Sequence, residues 1–250
     1  DWWKGLSTSP VRRTLAKMTS TSSSQRSGLY KPGRERRRGL ITKILIIGGG
    51  GHARVIASII KKTEGFELAG YLDPADNGPI LGSPYLGDDA FLDSMFREKG
   101  IGSAVIGIGQ IAGSEKRREL VGIAVSAGMG FPPVISPDAI INEDVVIGDG
   151  TVVMDGAIIG TGTRIGRHSI INTRASVDHD CIIGDFTHIG PGAILNGGVR
   201  IGDDTLIGSG STILQYRTIG DGCIIGIGSS IARDCESGGK YIQGSARKVK

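Results

Sequence analysis

The chain has 250 residues, 42 of them Gly, with 5% aromatic residues and a formal net charge of +4. So much Gly without a Gly-X-Y period excludes a collagen helix, and so few aromatic rings argue for many tight turns around a slender core. Ten Lys/Arg against two acids in residues 1–40 put the positive charge in a tail and leave the remaining residues at −4, which gives no case for nucleic acid as a partner.

In chain order, residues 1–42 read as a disordered basic, Ser-rich tail. Within it, the run Arg34–Arg38 reads as a solvated linker and Met18 as a candidate start. No apolar stretch is long enough to span a bilayer, so no membrane insertion is expected. Cys181, Cys223 and Cys235 lack metal-ligand spacing; no metal is expected, and the compartment is read as cytoplasmic.

Residues 43–134 read as a Rossmann-like α/β domain. Lys43–Ile47 is an aliphatic strand that runs into Gly48-Gly49-Gly50-Gly51-His52-Ala53, then an amphipathic helix Arg54–Lys62. The spacing Gly48-x-Gly50-x-x-Ala53 fits a phosphate-cradling strand–turn–helix, with Gly50 and Gly51 at the cradle. Asp73 ends the next strand, Phe66–Asp73, where an acid reads a ribose or base. A helix over Asp88–Lys99, a strand over Ser103–Gly107, a helix over Ser114–Ala127 and a strand over Phe131–Ile135 follow. That is room for one mononucleotide half, which favours a nucleotide-sugar over NAD.

From Ile135 to Ile231 every sixth residue is Ile, Val or Leu, at seventeen positions without exception. Four residues after each comes a small side chain, such as Thr151, Ala157, Thr163, Ser169 and Ala175, with Arg217 the one bad break, and all three Cys fall in this column as buried fillers. Directly after the aliphatic comes a frequent Gly, as at Gly148, Gly160, Gly166 and Gly184, which reads as a corner with positive φ. Such a six-residue beat predicts an all-β parallel β-helix over residues 135–236, three hexads to a coil, coils stacked about 4.8 Å apart. Residues 237–250 are left as a C-terminal tail, whose Lys240, Arg247, Lys248 and Lys250 read as a solvated basic end.

Hexads that lose the corner Gly mark candidate function: Asn142, Met154, Asn172, Asp178, Asn196 and Leu214. Gly197, one coil after His179, should sit directly above it and offer its N–H there. His179, flanked by Asp178 and Asp180, is a candidate general base, since a carboxylate orients imidazole and raises its basicity. His188 is half a coil from His179, so the two share a site only across a subunit interface, which predicts a homotrimer. His168, beside Arg167, reads as an exposed wall residue.

Gly48–Ala53, Asn172–Cys181 and His188 resemble the sugar acetyltransferases of the PglD/NeuD type, over residues 43–248. Gly244-Ser245-Ala246-Arg247 resembles that family's closing motif, with Ser245 in place of its usual Pro. The resemblance implies a left-handed β-helix and acetyl transfer from acetyl-CoA to the 4-amino group of a UDP- or GDP-linked sugar, with acetyl-CoA in the groove between two β-helices. It further implies that His179 takes the amine proton, Asp180 orients His179, and Asn172 and His188 line the acetyl-CoA or acceptor site. Gly197 N–H would meet the thioester oxygen or pantetheine, and His52 the acceptor sugar or its phosphates. Three rival functions use the same fold: O-acetylation of sialic acid or another sugar, a γ-type carbonic anhydrase with three His on zinc, and a non-enzymatic scaffold.

Overall fold

The computed structural model describes residues 30, 41–111 and 113–242. The expectations for the rest of the basic tail and for residues 243–250 lie outside those residues. Tyr30 was expected in the disordered tail; instead it exchanges two backbone hydrogen bonds with Ile147, at 3.0 and 3.2 Å, and packs on the end of the β-helix core.

β1 (Thr42–Ile47) is the centre of a parallel sheet, between β2 (Phe66–Leu72) and β3 (Ser103–Ile106). Both of its faces are covered, so its sequence is a continuous aliphatic run and Ile44–Ile47 are wholly buried. Helix α1 (Gly51–Lys62) buries Ala53, Ile56, Ala57, Ile59 and Ile60, an i, i+3, i+4 stripe. That stripe packs into one cluster with Ile44, Ile46 and Val105 of the sheet and with Val134, Val152 and Ile170 of the β-helix. Helices α2 (Leu92–Arg97) and α3 (Glu115–Ser126) cover the opposite face.

Two expectations for this domain need correction. Helix α2 is shorter than the span 88–99, because a 3-10 turn over Asp89–Phe91 precedes it. Residues 131–135 add no fourth strand: only Gly130 bonds to the sheet, with Ala104 and Gly102 at 2.9 Å. Pro132 and Pro133 have no N–H to continue a ladder, and Val134–Ile135 instead opens the β-helix.

From there a two-residue strand recurs every six residues, β4 (Val134–Ile135) through β20 (Ser230–Ile231), and each strand up to Thr212–Ile213 pairs in parallel with the strand 18 residues on. The strands form three faces of a prism. The aliphatic column points inward, and Ile147, Val153, Ile159, Ile165, Ile171 and Val177 are wholly buried. A last strand, β21 (Lys240–Tyr241), pairs with Ile224–Ile225 and lies beyond residue 236, where the regular beat was expected to end.

Buried hydroxyls in the small-residue column stitch one coil to the next. Thr151 accepts the Ser169 N–H at 3.0 Å and donates to the Gly166 carbonyl at 2.7 Å. Ser169, Thr187 and Thr205 repeat the pattern up the same corner.

The expected reason for the corner Gly column is overturned. Positive φ falls two residues later, at every sixth position from Asp144 to Gly228. Gly148, Gly160, Gly166 and Gly184 have no positive φ. A Cβ at Gly148 would lie 2.7 Å from the Gly166 carbonyl carbon, and at Gly160 2.6 Å from the Asp178 carbonyl carbon. The stacked backbone of the next coil, not dihedral freedom, demands glycine there.

Candidate active site

His179 stands on the turn after Ser176–Val177. Its Nδ1 lies 3.0 Å from Asp180 Oδ2. An ionised carboxylate only accepts, so Nδ1 carries the hydrogen and Nε2 presents its lone pair outward. The hydrogen bond to Asp180 is the main cause that raises the His179 pKa above the ordinary value, against a smaller opposing effect of desolvation. Asp180 reaches this position from a left-handed backbone, φ 57.

The imidazole leans onto Gly197 in the next coil, as the coil arithmetic predicts. A Cβ at Gly197 would fall 2.6 Å from His179 Cε1, and closer still to Nε2. Gly197 has no positive φ, so space alone requires glycine. Among the described residues its N–H has no acceptor, whereas Gly198 N–H donates to the His179 carbonyl at 2.9 Å. A proton acceptor on exposed His179 and an uncommitted backbone donor on buried Gly197 therefore stand side by side.

His188 faces elsewhere. Its outward column continues Val134, Val152 and Ile170, the residues covered by the N-terminal domain. His188 Nδ1 lies 2.7 Å from the Gln110 carbonyl, which only accepts, so Nδ1 is the protonated nitrogen. Nε2 then accepts from Asn172 Nδ2 at 2.9 Å, while Asn172 Oδ1 takes the Thr173 N–H at 2.7 Å. Burial pushes the His188 pKa down. Both ring nitrogens are committed, so within one chain His188 is no free base, and it does not meet His179.

His52 sits in the first turn of α1, its pKa lowered to about 3 by burial, then by the charges of Arg117 and His188. Ahead of it, Gly49 N–H donates to Asp73 Oδ2 at 2.7 Å, so Asp73 spends one oxygen on holding the loop. Gly50 and Gly51 are exposed, and a Cβ at either would meet nothing within 4 Å. Gly50 gives α1 no side-chain cap and the first turn holds no acid. The helix start is thus an open, uncapped set of N–H donors suited to an anion.

Three residues of this region escaped the sequence reading. Arg117, 2% exposed, donates to the Ile108 carbonyl at 2.5 Å and the His168 carbonyl at 2.9 Å, joining the two domains. Gln110 is buried and supplies the carbonyl on His188. His168 is no exposed wall residue: it is 9% exposed, stacked on Phe186 at 4.9 Å and edge-on to Phe131 at 5.1 Å. Burial lowers its pKa to about 4. Helix α3 covers that corner, with Arg118 on Asp204 at 2.7 Å and 4.0 Å over the Phe186 ring. His168, Phe186 and Asp204 all occupy the left-handed beat. Their failure to be Gly at that beat is the signal that would have found them.

Residues 43–121 match the PglD N-terminal domain, and residues 180–215 match the six-repeat bacterial transferase hexapeptide. A variant of perosamine N-acetyltransferase from Caulobacter crescentus, solved with CoA and GDP-perosamine, is 34% identical, with a TM-score of 0.75 over 81% of this chain and 94% of its own. The chain belongs to the PglD-type sugar acetyltransferases. Among its structural relatives, PerB from Caulobacter crescentus, in complex with CoA and GDP-perosamine, is 36% identical (TM-score 0.75, covering 81% of this chain and 95% of that one). The acetyltransferase domain of PglB from Neisseria gonorrhoeae, in complex with acetyl coenzyme A, is 32% identical (TM-score 0.75, covering 84% and 100%). Among curated proteins the sequence has no match. Its PglD-type fold makes the prism a left-handed parallel β-helix. No helix among the described residues of this PglD-type chain is long and apolar enough to cross a membrane.

Proposed function

We propose that this protein transfers the acetyl group of acetyl-CoA to the 4-amino group of a nucleotide-linked sugar, working as a homotrimer. The observation that carries the reading is the pairing of His179 Nε2, oriented through Nδ1 by Asp180, with the unpartnered N–H of Gly197. The amine attacks the thioester carbon, the new C–N bond forms and the C–S bond breaks. His179 takes the proton the nitrogen sheds, and the CoA thiolate leaves and is reprotonated to the thiol. Gly197 N–H stabilises the oxyanion that develops on the carbonyl oxygen. Base catalysis of this kind contributes about 10²–10⁴-fold, and positioning supplies much of the rest.

The open start of α1, with Gly50, Gly51 and neutral His52, suits the nucleotide phosphates, and Asp73, whose Oδ1 already accepts from Ala75 N–H at 3.1 Å, lies beside that start for the ribose or base. Asn172 and His188 line the acetyl-CoA or acceptor pocket from a neighbouring subunit. Ile140, Ile158 and Ile194, 55%, 41% and 44% exposed, line up on the outward side of the prism face that leads into the His179 corner. A second copy covering that column would bring its own covered face toward His179, which the single prism cannot do. Three buried free cysteines suit a reducing cytoplasm.

The test is to incubate the protein with acetyl-CoA and a panel of UDP- and GDP-linked 4-amino sugars and to follow thiol release. At least one amino sugar should release thiol, and His179→Ala should nearly abolish it. Equal activity in that variant removes His179 from its role. Faster turnover of a hydroxyl acceptor, sialic acid among them, would reassign the enzyme to O-acetylation.

A further inference from the structure

We infer that Tyr216 is the far wall of the acyl-carrier site and packs against the pantetheine arm of the incoming thioester, an inference that rests on the acetyl-transfer reading above. Tyr216 holds a left-handed backbone, φ 58, and for a bulky aromatic residue that is a genuine outlier. Four of the other six non-glycines at the left-handed beat have visible tasks: His168, Phe186 and Asp204 meet the N-terminal domain, and Asp180 orients His179. Tyr216 touches neither, and it is 68% exposed.

Its position is specific. The ring leans back over the preceding coil, so that a Cβ at Gly198 would fall 2.5 Å from Tyr216 Cδ1 and 2.6 Å from Cε1. His179 leans forward over Gly197 from the other side. The two rings converge over the side-chain-free pair Gly197–Gly198, buried and half-buried beneath them, whose one uncommitted donor is the Gly197 N–H; the Gly197 carbonyl is taken by the Tyr216 N–H at 3.0 Å. With the thioester carbonyl on that N–H, the amine must enter on the side of His179 to hand over its proton. The carrier arm is then left the opposite side, across Tyr216. A thin chain of methylenes and amides suits the face of an exposed ring, an amphipathic surface with little conformational entropy to lose.

The experiment measures CoA binding by calorimetry, and KM for each substrate, in wild type and in Tyr216→Gly, Tyr216→Asn and Tyr216→Phe. Glycine and asparagine both accept the left-handed backbone, so either can be read if the other folds poorly. CoA binding and KM for acetyl-CoA should weaken about five- to tenfold in both, the size of one lost aromatic contact. KM for the amino sugar should hold, the melting temperature of Tyr216→Gly should not fall, and Tyr216→Phe should restore CoA binding. A Tyr216→Gly protein that binds CoA as wild type does overturns the assignment of Tyr216 alone. A wild-type protein that binds no CoA overturns the acetyl-transfer reading and this inference with it.

Discussion

Gly197→Ala should remove most of the activity and little of the stability. Its φ is outside the left-handed region, so alanine costs nothing in backbone strain. The added methyl lands 2.6 Å from His179 Cε1 and 3.1 Å from Cδ2, so the imidazole must swing away. With its side chain 53% exposed, the ring can do so into solvent, and the folding cost should stay within about 0.5 kcal/mol, as for an ordinary surface change. The base, however, moves by about an ångström or more from the proton it collects, a displacement worth about 10²-fold in kcat. Thiol release gives kcat, and a urea titration of the same preparation gives stability. An alanine variant with wild-type kcat would refute the placement of His179 over Gly197. Gly198→Ala gives the opposite signature. Its φ of 69 and the Tyr216 ring beside it both resist a methyl, so it should lose about 1–2 kcal/mol of stability from the backbone alone.

Asp180→Asn removes the hydrogen bond that raises the His179 pKa; with the neutral imidazole as the proposed base, the ascending limb of the kcat–pH profile should move to lower pH while the plateau falls about tenfold or more. Half-buried His52 and buried His168 are held neutral, with pKa values lowered to about 3 and about 4. Below pH ~6.5 the unfolded chain binds protons that the folded one refuses, so stability is present above that pH and is lost on acidification, by up to about 1.4 kcal/mol per histidine per pH unit. Urea midpoints at pH 7, 6 and 5 should show this slope, and His168→Phe should flatten it; an unchanged slope would place His168 in water. Arg117→Met strands the carbonyls of Ile108 and His168, which should cost about 2 kcal/mol. It should also raise the NMR-measured pKa of His52, since Arg117 contributes to its depression.

Much of this molecule is legible in the sequence because the β-helix repeats one environment. Every inward position meets the same narrow interior, so Ile147, Val153 and Ile159 answer to one rule, and counting by coils places Gly197 over His179. What misled was the presence of two Gly-rich columns. Gly148 and Gly150 look alike in sequence, yet one answers to a carbonyl 2.7 Å away and the other to a φ of 68. Read in the wrong column, the lost glycines hid His168, Phe186 and Asp204, which sit at the true left-handed beat. In the junction cluster of His52, Gln110, Arg117 and His188, the two histidines stand out in the sequence, but Gln110, Arg117 and their meeting have no local signature. It exists because α1 and the loop after β3 are laid on one prism face, and no spacing along the chain encodes that.

The hydroxyl stitching from Thr151 through Thr205 runs up the very corner on which α3 rests. A corner tied at each of these levels has no layer that yields before the rest, so the N-terminal domain rests on a stiff post. On the proposed reading, discrimination between sugars must then come from the side chains that meet them, since the distance from the open start of α1 to Gly197–Gly198 is set once, when the chain folds.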